Sequence, residues 1–157
     1  TKNEIKWMNT NFKYDHEIHS PVITISNLTS KVIEATAIQL VKNDGEDAVL
    51  TGDVKADFYN DFNQHMSILK ADTATINELT NNFTAIGNVI VESDSGLVLR
   101  TKKLFWDHQY KLVISKDSVQ FTTLEKDTLY GIGFESDMDL SHWKILQPTG
   151  VTSRILD

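Results

Sequence analysis

Short alternations of apolar and polar residues recur along most of the chain. Ile68-Leu69-Lys70-Ala71-Asp72-Thr73-Ala74 returns as Val98-Leu99-Arg100-Thr101-Lys102-Lys103-Leu104 and again as Thr128-Leu129-Tyr130-Gly131-Ile132-Gly133-Phe134. Ala71, Thr101 and Gly131 thereby fall at a constant interval of 30 residues. Between these segments lie Leu50-Thr51-Gly52-Asp53-Val54 and Ala85-Ile86-Gly87-Asn88-Val89, each with a glycine turn. A two-strand unit with one apolar face cannot bury that face alone, so repeated units must stack around a continuous interior.

The pattern predicts strands over 22–25, 31–41, 48–60, 66–77, 82–92, 97–106, 111–114, 119–122 and 129–135. Asn43-Asp44-Gly45, Ser93-Asp94-Ser95-Gly96 and Trp106-Asp107-His108-Gln109 supply residues that tolerate tight or left-handed backbone between strands. Threonine, valine and isoleucine suit a half-buried pleated surface, and no amphipathic stretch sustains a helix beyond three turns. The class is all-β. Strand parity places Leu69 and Ala71 on one face with Val89 and Val91, then Leu97, Leu99 and Phe105. Leu112 and Ile114, Val119 and Phe121, and Tyr130, Ile132 and Phe134 continue it. An ordinary packed core and a lipid-lined groove use the same residue types, so periodicity leaves both open.

At 157 residues the chain is one domain, long enough to bury roughly 70% of its unfolded surface. A net charge of −7 argues against nucleic acid and against electrostatic adhesion to an anionic membrane. With no cysteine, disulfides, thiol catalysis and zinc–thiolate sites are excluded. No run of 18 apolar residues is present, and the chain begins at Thr1 rather than methionine, which predicts a signal or anchor upstream. Residues 1–20 read as a weakly ordered polar lead-in with scattered aromatics (Trp7, Phe12, Tyr14), and 147–157 as a tail after the domain at 21–146.

Candidate chemistry is sparse. His16 and His19, flanked by Asp15 and Glu17, lack a third ligand on a rigid element, so no metal site is predicted. Asp137-Met138-Asp139 lacks the later glycine and glutamate of a calcium loop. No carboxylate pair recurs on the inward face, and no serine–histidine nucleophile motif exists. Asn27-Leu28-Thr29 and Asn82-Phe83-Thr84 match the glycosylation pattern at chance frequency. Arg100, Lys102 and Lys103, the one local basic cluster, read as a solvated strand face. Nothing points to catalysis.

Leu129-Tyr130-Gly131-Ile132-Gly133-Phe134, followed by a polar turn and Trp143-Lys144-Ile145, resembles the C-terminal part of the LptC family. Ser67-Ile68-Leu69-Lys70-Ala71-Asp72-Thr73-Ala74 resembles that family's strand around a Lys-Ala-Asp core, and Ala85-Ile86-Gly87-Asn88-Val89-Ile90-Val91 its Gly-Asn-Val strand. Residues 27–37 are similar to its first long strand, so the resemblance runs from about 22 to about 146. It implies an open, rolled β-jellyroll of antiparallel strands with a V-shaped hydrophobic interior. It further implies a periplasmic protein anchored to the inner membrane, without cofactor, that accepts lipopolysaccharide from the LptB–LptF–LptG transporter and passes it to LptA. The lipid would contact Leu69, Ala71, Val89, Val91, Leu97, Leu99, Leu112, Ile114, Val119, Phe121 and Phe134. The N-terminal edge, from Val22 to Ile25 and the start of the Lys31 strand, would face the transporter, and the C-terminal edge, from Leu129 through Ile145 with Tyr130, Gly131 and Gly133, would face LptA. Monomer and homodimer both stay open. Competing readings are an LptA-like bridge protein, a carbohydrate-active β-solenoid and a carbohydrate-binding β module.

Overall fold

A computed structural model describes residues 4–7, 16–28 and 30–152. Every regular element among them is a strand: β1 Glu4–Trp7, β2 His16–His19, β3 Val22–Ser26, β4 Lys31–Thr36, β5 Gln39–Lys42 and β6 Ala48–Tyr59. There follow β7 His65–Ile76, β8 Phe83–Ser93, β9 Val98–Asp107, β10 Leu112–Thr122, β11 Thr128–Ser136 and β12 Trp143–Thr152. They form one open antiparallel sheet in the order β1-β3-β4-β6-β7-β8-β9-β10-β11-β12, with β5 pairing β6 and carrying β2.

Four boundaries differ from the sequence expectation. The stretch 31–41 is two strands, because β4 pairs the C-terminal half of β6 (Ile33 opposite Phe58) while β5 pairs its N-terminal half (Leu40 opposite Leu50). Gly52 and Asp53 bulge between those halves, so the partner strand must break, and the Ile38 N–H donates to the Gly52 carbonyl at 2.9 Å. Conversely, 111–114 and 119–122 belong to the single strand β10, whose ladder is interrupted near residues 115–118. The lead-in contributes β1 and β2; Phe12, Tyr14 and Asp15 lie outside the described residues. Residues 147–152, read as tail, complete β12, while 153–157 lie outside the described residues. Pro148 fits in this strand because an edge strand tolerates a residue with no N–H to give.

A line of bulges crosses the sheet. The ladder shifts register between Thr51 and Val54, Lys70 and Thr73, Ile86 and Val89, and Ser115 and Ser118. Gly52-Asp53 and Gly87-Asn88 are consecutive left-handed pairs (φ 82° and 46°; 85° and 47°), a geometry glycine, asparagine and aspartate accept most readily. Beside this line runs a row of register partners: Val54 opposite Ala71, Val89 opposite Thr101, and Val119 opposite both Thr101 and Gly131. The 30-residue interval is therefore one buried row across the sheet. Bulges bend strands, and they also reset parity. In β7 the buried positions step from Leu69 and Ala71 to Ala74 and Ile76, and in β9 from Leu99 and Thr101 to Leu104 and Trp106.

The bend folds the sheet over on itself. Phe58 of β6 meets Trp106 of β9 at 5.9 Å between ring centroids and Phe83 of β8 at 6.3 Å. Strands three apart in a flat sheet would stand roughly 14 Å apart. The Ser67 hydroxyl likewise donates to the Met138 carbonyl at 2.7 Å, joining β7 to the β11–β12 turn.

One ionic clamp ties the rim. His65 Nδ1 lies 2.7 and 2.8 Å from the Asp94 carboxylate oxygens, and Nε2 lies 2.8 Å from Asp57. Burial opposes protonation of His65, but the hydrogen bonds and charges of Asp94 and Asp57 outweigh it and raise its pKa above the ordinary 6.5. A raised folded-state pKa contributes stability that is complete below about pH 6.5 and is lost as pH rises through the folded value. Melting temperature is expected to fall over that range in the parent chain. In His65→Gln this component of the fall should vanish; an unchanged profile would show that the clamp does not titrate.

Candidate functional site

The inward face collects most of the residues that sequence parity selected. Leu69, Ala71, Val89, Val91, Leu97, Leu99, Val119, Phe121 and Phe134 are all buried there. Leu112 and Ile114 are not: they lie half-buried on the outer face, and Val113 and Ser115 take the inward positions. Read as one strand, β10 keeps its alternation through the register shift near Lys116 and Asp117, so Val113 is in phase with Val119 and Phe121. Phe105, Tyr130 and Ile132 also turn outward, displaced by the parity resets in β9 and at Gly133 (φ 85°). The interior is filled by these side chains, with Trp106, Phe83, Phe121 and Phe134 fully buried.

Neither β3 nor β11, which carry the predicted partner residues, is an edge, although the predicted C-terminal segment extends to Ile145 in the end strand β12. β1 covers β3, leaving Ile25 fully buried, and β12 covers β11 with its Tyr130, Gly131 and Gly133. Among the described residues β1 and β12 end the main strand path, and β12 presents Leu146 and Val151 to solvent.

Folding the sheet brings hairpin turns from opposite strand ends together as two lips of a mouth. Leu28 of the β3–β4 turn and Phe62 of the β6–β7 turn are 72% and 83% exposed. Leu79 of the β7–β8 turn and Tyr110 of the β9–β10 turn are 89% and 66% exposed. Single exposed apolar residues are ordinary, but one on each of four converging turns makes an apolar rim. A cavity of about 730 Å³ opens between the turns, lined by Leu28, Asp61, Leu79, Asn82, His108 and Lys111 among others.

The floor of the mouth is polar but sparingly paired. His108 is buried edge-on to Trp106 at 5.0 Å, and its backbone N–H donates to Asn82 Oδ1 at 2.9 Å. Neither ring nitrogen of His108 nor the indole N–H of Trp106 meets a hydrogen-bond partner among the described residues. Burial, reinforced by the Lys111 charge and opposed by Asp107, lowers the His108 pKa to about 4. Burial also holds the Lys111 ammonium, which donates to the His108 carbonyl at 2.9 Å, below its usual range despite Asp61 and Asp107. A depressed histidine pKa disfavours the fold once the unfolded chain protonates, so stability is expected to decline as pH falls from about 6.5 to about 4. His108→Phe should remove that decline in a pH series of denaturant midpoints; its persistence would place the acid sensitivity elsewhere.

Sequence reasoning passed over His108, Trp106, Phe58 and Phe83. Trp106-Asp107-His108 looked like turn material, and the usable signal was the β9 parity reset, which turns both rings inward. The other flagged residues have structural occupations. His19 lies 3.6 Å from Glu17 and His16 lies 3.7 Å from Asp44. Asp139 accepts a hydrogen bond from the Ser141 N–H, and Asp137 accepts one from the His142 N–H. Among the described residues no three histidine or carboxylate side chains converge on a metal-sized site. Comparison of the sequence with protein-family models and with curated proteins returns no significant match.

Proposed function

We propose that this chain is an LptC-like lipopolysaccharide carrier, held in the periplasm at the inner membrane, that takes lipid from an LptB–LptF–LptG transporter and hands it to LptA. The observation that carries the reading is an open sheet folded around one apolar face, with exposed apolar side chains on both lips of its mouth. Each acyl methylene withdrawn from water contributes roughly 0.8 kcal/mol, so a single chain lying along such a face is strongly held. Because the interior is filled, acyl chains enter by parting the Phe58, Phe83 and Trp106 contacts that close it. A uniform apolar surface offers no specific trap, which suits passage; direction comes from ATP hydrolysis in the transporter, and the carrier needs no catalyst. The end strands β1 and β12 serve the partners by strand addition, β1 toward the transporter and β12 toward LptA.

The test is photo-crosslinking to lipopolysaccharide from Phe62, Leu79 and Val91, with the outer-face Ile86 as control. Labelling is expected at the two lip positions and at Val91, and not at Ile86. Equal labelling at Ile86, or none at the lips and interior, would overturn the reading. The second outcome would favour a β module whose filled interior is only a core, a reading the complete burial of the inward face also supports. An LptA-like bridge would label identically and differ in its capture by the transporter.

A further inference from the structure

We propose that the outer face of the sheet carries a second site, a groove across β8 to β12 that binds an anionic saccharide. The groove has a volume of about 620 Å³ and lies on the side opposite the apolar interior. Its base follows one register row, Ile90 opposite Arg100, Arg100 opposite Gln120, and Gln120 opposite Tyr130. The bulges that bend the sheet shape it: Asn88 sits in the left-handed pair of β8, and Thr149 is the extra residue where β12 slips against Tyr130 and Gly131.

Charge selects an anion. The chain carries 22 acidic against 15 basic residues, yet Arg100 and Lys102 line this groove and no carboxylate does. Neither cation forms an ion pair among the described residues, where most of the paired lysines and histidines lie at rims and turns. The nearby carboxylate of Asp72 is engaged by the Asn88 amide at 2.8 Å, which leaves the Asn88 carbonyl oxygen as an acceptor. Two unpaired cations on adjacent outward positions of one strand match a phosphate or carboxylate, the guanidinium through two parallel N–H donors.

The remaining lining selects a sugar. Ser118, Gln120, Tyr130 and Thr149 present hydroxyl and amide groups that both donate and accept, as sugar hydroxyls require. Ile90 and Ile132 supply apolar wall for the C–H face of a pyranose ring. The volume lies in the range of small-ligand sites. Two cations on a chain of net charge −7 do not constitute a nucleic-acid track. The site is independent of the interior, so it stands or falls separately from the carrier reading.

The test titrates the 15N-labelled chain with glucose 6-phosphate and with trigalacturonate, using inorganic phosphate and glucose as the separate halves. Saturable shifts are expected at Arg100, Lys102 and Gln120 with at least one charged sugar, and binding at least about tenfold weaker for phosphate or glucose alone. Arg100→Gln and Lys102→Gln, both exposed and tolerant of an uncharged polar side chain, should each weaken binding about tenfold or more. Lys144→Gln, on β12 beside Glu135, should not. Equal affinity for inorganic phosphate, unchanged affinity in Arg100→Gln, or no shifts with either charged sugar would each overturn the proposal.

Discussion

Gly131→Arg is expected to release β12 from β11 and to abolish cooperative unfolding of the C-terminal part of the sheet. Gly131 sits in the buried row between Val119 and Pro148. A β-carbon there would collide with the Ile145 side chain and come within 2.8 Å of the Gln147 carbonyl oxygen. One contact is a side chain already packed against the core, and the other is backbone. Even Gly131→Ala should cost about 1–3 kcal/mol, the usual range for overpacking; arginine adds a charge that cannot be buried unpaired. Gly150→Ala is the control, because nothing among the described residues lies within 4 Å of its β-carbon position. It should be neutral or stabilise by up to about 1 kcal/mol. Denaturant unfolding would decide the matter, and equal midpoints for the two alanine variants would remove the close approach from the account.

Trp106→Ala should destabilise the fold by about 3–5 kcal/mol, the range for deleting a buried aromatic ring. Trp106 is fully buried and closes the mouth against Phe58 from a strand three places away. Trp106→Phe should cost only about 1 kcal/mol, since the lost volume is partly offset by removing an indole N–H that has no partner among the described residues. A double-mutant cycle with Phe58→Ala is the sharper measurement. Residues this close should couple by about 0.5–3 kcal/mol, whereas side chains on a sheet that was not folded over would give additive losses. Additivity within about 0.3 kcal/mol would contradict the folded arrangement.

Much of the architecture was legible along the chain because it depends on near neighbours. Alternation over 66–77 and 82–92 marks strands whatever they pair with, and Asn43-Asp44-Gly45 or Ser93 to Gly96 reverse the chain through local backbone preference. The 30-residue interval of Ala71, Thr101 and Gly131 recorded a real row of the sheet. Nine of the eleven residues named as lipid contacts are buried on the inward face for the same reason.

What parity could not carry was its own continuity. One residue inserted at a bulge turns every later side chain to the opposite face, so Phe105, Tyr130 and Ile132 were placed on the wrong side while Trp106 and His108 went unnoticed. Leu112 and Ile114 were misassigned because β10 was read as two strands with no shared phase. Edges posed the same difficulty in another form. Whether β3 or β1, β11 or β12, ends the sheet depends on hydrogen bonds to distant segments, and the exposed polar sequence of β12 carries no periodic signature. The mouth and the outer groove come later still. Each joins turns or strands that meet because bulges bend the sheet, and a local pattern of apolar and polar residues contains no information about that angle.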